Sequence, residues 1–267
     1  GETGLDGPDL PLPKLQLEAQ HGVDFIIETL LTQDAGTVTL ACLGPLTNIA
    51  MAMVKEPRII GRIQEIVLMG GGYFEGGNIT PAAEFNIYVD PDAADVVLRS
   101  GVPIVMVPLD VSHMILSTPE RLAKIRAIGN KAGEAVYQML SFSERFDLNK
   151  YGSDGAPLHD PCVMAYMLKP DLFQGRHINV VVETSSELTI GMTVADYWGV
   201  TGRARNVTYL RSGNAAGKAK RRPEDEDGPH GAAAVSVEQA EKIGCDDVAQ
   251  NGAAMAEDIA RQKSQHC

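Results

Sequence analysis

At 267 residues, with 44% hydrophobic and 22% charged side chains, the chain has material for one large α/β domain, or for a domain with an appendage. Its formal charge of −12, from 23 basic and 35 acidic residues, argues against nucleic acid and anionic membrane surfaces as partners. No apolar run approaches the roughly 18 residues a membrane helix needs. Cys42, Cys162, Cys245 and Cys267 match neither a zinc pattern nor a dense disulfide framework. Cys42 and Cys162 lie in apolar stretches and read as buried free thiols, which fits a reducing, cytoplasmic compartment. The opening Gly1 to Gly7 has neither the basic start nor the apolar stretch of a signal peptide. With no initiator methionine, the chain is expected to be a processed product or a fragment.

Gly1 to Lys14 is rich in Gly and Pro and reads as a surface loop. Apolar residues at helical spacing (Val23, Ile26, Ile27, Leu30, Leu31) predict a helix over Leu15 to Thr32. Thr37 to Leu43 is a short β-rich run, broken by Gly44-Pro45, and a helix capped by the Thr47 hydroxyl is expected next. Glu65 to Met69 predicts a second strand, stopped by Gly70-Gly71-Gly72. A helix from Pro91 to Arg99 and a third strand from Pro103 to Val107 follow. This alternation argues for an α/β fold, a mostly parallel open sheet with helices on both faces.

Further on, Pro119 to Phe146 reads as mostly helical, Leu158 to Met167 as an apolar helix and His177 to Glu183 as a strand. Met192 to Val194 leads into a turn containing Trp198. The character changes after Tyr209, so the α/β domain is placed at 1–209. Residues 210–231 form an expected disordered linker, because Arg211 to Gly231 lacks Val, Ile, Leu, Met and Phe and cannot bury apolar surface. Residues 232–267 form an atypical C-terminal segment, with a thin helical pattern from Ser236.

Polar groups recur just after the predicted strands, where open parallel sheets bind ligands. Asn78, Glu84 and Asn86 sit in a Gly-rich stretch. They are either solvated loop residues or a grip on a polyhydroxyl compound, since carboxylates accept from hydroxyls while amides both donate and accept. His159-Asp160-Pro161 offers two readings as well. Asp160 is a helix cap with Pro161 at the first helical position, or Asp160 ligates a hard cation and His159 donates a proton. Asp110 follows the third strand. His113 and His177 read as surface or packed residues, Trp198 as packing, and Gly70-Gly71-Gly72 lacks the partners of a phosphate loop.

Over Gly1 to Thr208 the chain resembles the inosine–uridine-preferring nucleoside hydrolases. The resemblance runs through Gly1-Glu2-Thr3-Gly4-Leu5-Asp6-Gly7, Leu43-Gly44-Pro45-Leu46-Thr47-Asn48 and Val67-Leu68-Met69-Gly70-Gly71-Gly72. It continues through Ala83-Glu84-Phe85-Asn86, Asp90-Pro91, Leu158-His159-Asp160-Pro161 and Gly191-Met192-Thr193-Val194. It implies hydrolysis of ribonucleosides to ribose and free base, with a calcium-bound water as nucleophile and a homodimer or homotetramer. It implies that the Leu43 carbonyl and Asp160 bind Ca2+, and that Asp160 and Asn86 hold the ribose. Asn78 and Glu84 would hold its 5′ end, Met69 would line the site, and His159 would lie near the base and protonate it as it departs. The pocket around the base would be built partly by Ser141 to Tyr151.

The family's D-x-D-P-G-x-D-D segment, which supplies the water-activating base and further calcium ligands, is absent from this sequence. The expectation is an N-terminally truncated member whose sheet lacks its first strand, prone to aggregate and weak or inactive as a hydrolase. The alternative is a non-catalytic nucleoside- or ribose-binding protein.

Overall fold

The computed structural model describes residues 5–151 and 155–213; the side chains of residues 143–151 are outside that description. The predicted linker beyond 213, the helix from Ser236, Cys245 and Cys267 therefore lie outside the described residues. The chain divides into two compact units, one of Gln20–Ile115 with His159–Ala215, the other of Gly1–Ala19, Leu116–Leu158 and Ala216–Cys267.

The first of these holds a six-stranded sheet. Its strands are β1 (Val38–Cys42), β2 (Ile63–Met69), β3 (Ile104–Val107), β4 (Phe173–Val182), β5 (Thr193–Asp196) and β6 (Val207–Gly213). The order is β1-β2-β3-β6-β4-β5. β1, β2, β3 and β6 run parallel, while β4 pairs antiparallel with β6 and with β5. Among the described residues β1 pairs with β2 alone and forms one edge.

Alternate residues of the central strands feed two separate cores, as the period-two geometry of a strand requires. Ile66, Leu68, Ile104, Met106, Val207 and Tyr209 face one core. They pack there with α1 (Gly22–Thr32), α2 (Thr47–Lys55), α3 (Phe85–Val89) and α4 (Pro91–Leu98). Val67, Met69, Val105, Val107 and Leu210 face the other, which is closed by α5 (Leu109–Ser112) and α8 (Pro161–Leu168). Helices thus cover both faces, and the near-continuous apolar runs of β2 and β3 follow from burial on both sides. Cys42 and Cys162 are buried free thiols, and burial pushes the Cys42 thiol up to about 12.

Three local expectations are corrected and one is refined, and the strand expected at His177 to Glu183 already starts at Phe173. α1 starts at Gly22 rather than Leu15, because the His21 ring accepts from the Val23 N–H and caps it there. Its last carbonyls are met by Arg62, which donates to Leu30, Leu31 and Gln33. Thr47 does not cap α2; Leu46 holds the cap position with no side-chain bond. The Thr47 hydroxyl instead donates to Asp90 at 2.6 Å, while the other Asp90 oxygen caps α4 through the Ala93 N–H. The strand β6 reaches Gly213, past Tyr209, carrying Arg211 with it.

The refinement concerns the second unit. The stretch Pro119 to Phe146, expected to be mostly helical, is two helices, α6 (Pro119–Ala127) and α7 (Lys131–Tyr151). Gly129, with φ +74°, ends the first, and the Asn130 side chain accepts from the Gly133 N–H to open the second. The unit also contains a short antiparallel bridge between Leu116 and Pro157, beside which Ser117 exchanges hydrogen bonds with the Ala156 backbone.

Candidate active site

The carboxyl ends of β2 and β3 carry the polar cluster, where a parallel sheet opens its ligand crevice. After Met69 the chain turns through Gly70-Gly71-Gly72. Gly71 has φ +76°, and a Cβ there would lie 2.9 Å from the Thr193 hydroxyl. A Cβ on Gly72 would meet the Gly76 carbonyl at 2.5 Å. Gly71 is therefore set by its positive φ and the Thr193 side chain, and Gly72 by close backbone approach.

Glu84 is 3% exposed and stands at the N-terminus of α3. Its carboxylate accepts from the N–H groups of Asn86 (2.9 Å), Ile87 (3.3 Å) and Gly71 (3.0 Å). Burial raises its pKa, the three backbone donors oppose that rise, and the charge of Asp160 adds to it. Asn86 donates from its side-chain amide to the Met69 carbonyl at 3.1 Å and lies 3.4 Å from the Met69 sulfur. Asn78 accepts from the Phe85 N–H at 2.9 Å, tying it to the same α3 terminus. Met69, Glu84 and Asn86 are thus joined by hydrogen bonds, Asn78 is bonded to the backbone on either side of Glu84, and the charge of Asp160 is felt at Glu84.

Asp160 occupies the cap position of α8, but its backbone is already helical (φ −62°, ψ −39°) and its side chain caps nothing. The capping reading of its carboxylate does not hold. Burial lifts its pKa to about 6. His159 precedes it, with Nδ1 2.8 Å from the Ser112 hydroxyl and its ring 5.6 Å from that of His113. Burial first, then the His113 charge, push the His159 pKa down to about 4, so the ring is neutral near pH 7. Leu43 follows β1, and its side chain packs in the same core cluster as Met69.

His113 is half-buried and packed, with the His159 ring on one side and Glu75 at 3.9 Å. Trp198 is 64% exposed and therefore not core packing. It meets Tyr197 edge-to-face at 5.3 Å, with the Arg176 guanidinium 5.7 Å above its ring. His177 is an exposed strand residue, as expected.

The sequence reading gave no role to Asp110, Ser112, Thr193 or Tyr209, yet these hold the cluster's frame. Asp110 accepts from three successive loop amides and from the Tyr209 hydroxyl. Thr193 bonds both the N–H and the carbonyl of Gly72, each at 3.0 Å. Their place on the short segment that follows the end of β3 was the available signal for Asp110 and Ser112. Thr193 and Tyr209 lie on strands far off in sequence, and nothing local marks them.

Asp160 and the Leu43 carbonyl, the expected ligands, would supply two groups, and calcium takes six to eight oxygens. Among the described residues no group of three or more His, Cys, Asp or Glu side chains could hold a metal ion. These residues alone do not fit a calcium site. Ser141 to Tyr151 belongs to the other unit, and the side chains of 143–151 are outside the described residues.

Residues 1–218 match the family model described as inosine-uridine preferring nucleoside hydrolase. An uncharacterized protein of Schizosaccharomyces pombe is 49% identical over 212 residues, covering 79% of this chain and 68% of that protein. A pyrimidine-specific ribonucleoside hydrolase of Shewanella sp. strain ANA-3 is 47% identical over 211 residues, covering 79% of this chain and 66% of the relative. A solved purine-preferring ribonucleoside hydrolase from Gardnerella vaginalis superposes with a TM-score of 0.70 at 32% identity, covering 78% of this chain and 66% of that one. The chain thus spans about two thirds of the length of the relatives it matches.

Proposed function

The chain belongs to the inosine-uridine preferring nucleoside hydrolase family, and from that premise we propose that its site takes a ribonucleoside and serves the hydrolysis of the N-glycosidic bond to ribose and free base. The observation that carries the reading is the hydrogen-bonded set Met69, Glu84 and Asn86 at the carboxyl end of β2, with Asn78 bonded to Phe85 next to Glu84 and the Asp160 charge felt at Glu84. Carboxylates and amides are the groups that grip vicinal hydroxyls. Cleaving an N-glycosidic bond builds oxocarbenium-like positive charge on the sugar. The buried Glu84 carboxylate, where the Asp160 charge is felt, favours that positive charge.

In this proposal Asp160 and Asn86 hold the ribose hydroxyls, Asn78 and Glu84 its 5′ end, and Met69 lines the sugar site. His159, neutral and bonded to Ser112, faces the base end, where a proton must reach the departing base. Asp160 and the Leu43 carbonyl are the ligands this chain would contribute to a calcium ion; the remaining oxygens must come from elsewhere. Base preference does not carry over from the relatives, since one is described as pyrimidine-specific and another as purine-preferring. A cytoplasmic setting and a dimer or tetramer of this chain complete the reading.

A second reading, nucleoside or ribose binding without catalysis, is favoured by the lack of a three-ligand metal cluster among the described residues. Base release from inosine and from uridine in millimolar calcium decides between them. The assay compares these 267 residues with the same chain preceded by a D-x-D-P-G-x-D-D segment. Release by the extended chain supports hydrolysis. Binding of nucleoside by both without release by either supports the second reading. Neither binding nor release by two folded proteins refutes both.

A further inference from the structure

The structure assigns to Asp110 the role of a positioning residue: its carboxylate fixes the backbone loop that presents Glu84 and Asn78 to the site. This rests on the reading of those two residues as sugar-holding groups. Asp110 itself touches none of the residues placed at the sugar.

Asp110 is 3% exposed and sits on α5, immediately past the end of β3. One oxygen accepts from the N–H groups of Phe74 (2.7 Å) and Glu75 (3.0 Å). The other accepts from the Tyr73 N–H (3.0 Å) and the Tyr209 hydroxyl (2.6 Å). Three successive backbone N–H groups aimed at one point form an anion-binding nest. Here the anion is part of the chain. Charge-assisted bonds to a buried carboxylate are about twice as strong as neutral ones, and the low surrounding polarity strengthens them further.

The loop so held runs from Met69 to Asn78. On its near side the Gly71 N–H donates to Glu84, and Thr193 brackets Gly72. On its far side the Asn78 N–H donates to the Ala83 carbonyl, and the Asn78 side chain accepts from Phe85. Tyr73, Phe74 and Glu75 lie between those two attachments. Releasing them frees the segment that joins the Gly71 contact of Glu84 to Asn78. The Arg211 guanidinium, 3.6 Å over the Phe74 ring, presses on the same loop from β6.

The first test uses the unmodified chain. Native-state hydrogen exchange in rising urea is read at Tyr73, Phe74 and Glu75, the donors to Asp110. It is read as well at Gly71, Asn86 and Ile87, the donors to Glu84. The expected result is that the six amides open together as one unit. Separate opening of the two sets overturns the proposal.

Asp110→Asn supplies the second test. The amide keeps the volume but turns one acceptor into a donor facing N–H groups. Exchange at all six positions should rise, and the Kd for inosine, read by calorimetry, should rise on the order of tenfold, the equivalent of one net charged hydrogen bond. Tyr209→Phe removes one of the four bonds to Asp110 and leaves the three amide bonds, so exchange at the six positions and the Kd should rise in the same direction but by less than in Asp110→Asn. Unchanged affinity in Asp110→Asn, or faster exchange at Tyr73 to Glu75 alone, refutes the positioning role. If the parent binds no inosine, the sugar-holding reading fails, and exchange alone decides whether Asp110 governs the Glu84 donors. If Asp110→Asn does not fold, the urea series on the parent decides.

Discussion

Asp160→Asn should make the protein more stable at neutral pH while weakening its hold on a nucleoside. The Asp160 carboxyl is raised from 3.8 to about 6 by burial. A group with a raised acid pKa favours the folded state when protonated and penalises it when ionised. The penalty is absent below pH 3.8, grows as pH rises, and is complete above about pH 6. Two units correspond to about 3 kcal/mol; partial solvent access reduces this to about 2 kcal/mol. Asparagine removes the charge, relieves repulsion with Glu84 and sacrifices no capping bond, because Asp160 makes none. For a unit of this size, about 2 kcal/mol raises Tm by roughly 4–8 °C. The assay is thermal unfolding of parent and variant in calcium-free buffer at pH 7.5 and 4.5, with most of the gain gone at the lower pH. His159 works in the other direction: its pKa is lowered to about 4, so its contribution is full above pH 6.5 and is lost as pH falls towards 4. That contribution is common to both proteins and cancels in the difference. A gain equal at both pH values, or a loss at pH 7.5, would refute the reasoning.

Gly71→Ala should cost about 2–4 kcal/mol in urea unfolding, combining a left-handed residue with a Cβ pressed against Thr193; a cost under about 0.5 kcal/mol would mean the turn relaxes freely. Ser112→Ala leaves the His159 ring nitrogen without its protein partner and should cost about 1–3 kcal/mol. An unmoved urea midpoint there would show that water replaces the hydroxyl.

The sheet was legible where the sequence signal was apolar and local. β2 and β3 are short runs buried largely on both faces, β1 is a half-buried edge strand, and Gly or Pro marks their ends. β6 was not read as a strand, and the domain was ended at Tyr209 because Arg211 and Ser212 look like the start of a polar tail. Arg211 is only 7% exposed, and its cation is accommodated by the faces of Phe74 and Tyr197. No windowed reading of the sequence pairs Arg211 with Phe74. The break in the helical run after Pro119 was legible and overlooked: Gly129-Asn130 joins a left-handed stop to an N-cap. At the site, Asn78, Glu84, Asn86 and Asp160 stood out as polar residues next to strand ends. Their supports did not, because Thr193 and Tyr209 belong to strands that reach the loop only through the fold.

The distribution of those supports has a physical reason. A turn through Gly70-Gly71-Gly72 has no side chains with which to pack itself, and glycine loses the most backbone freedom on folding. Such a loop holds one geometry only if other segments supply its bonds. Three do so: Glu84 from the start of α3, Asp110 from α5 and Thr193 from β5. One of the three, Glu84, is also a proposed sugar-holding group, so its carboxylate fastens the loop and faces the site at once. Substituting Glu84 should therefore disturb loop geometry and sugar affinity together, whereas Asp110 offers the same loop a handle that lies outside the site. Comparing the two positions separates what Glu84 contributes by touching the sugar from what it contributes by holding the backbone in place.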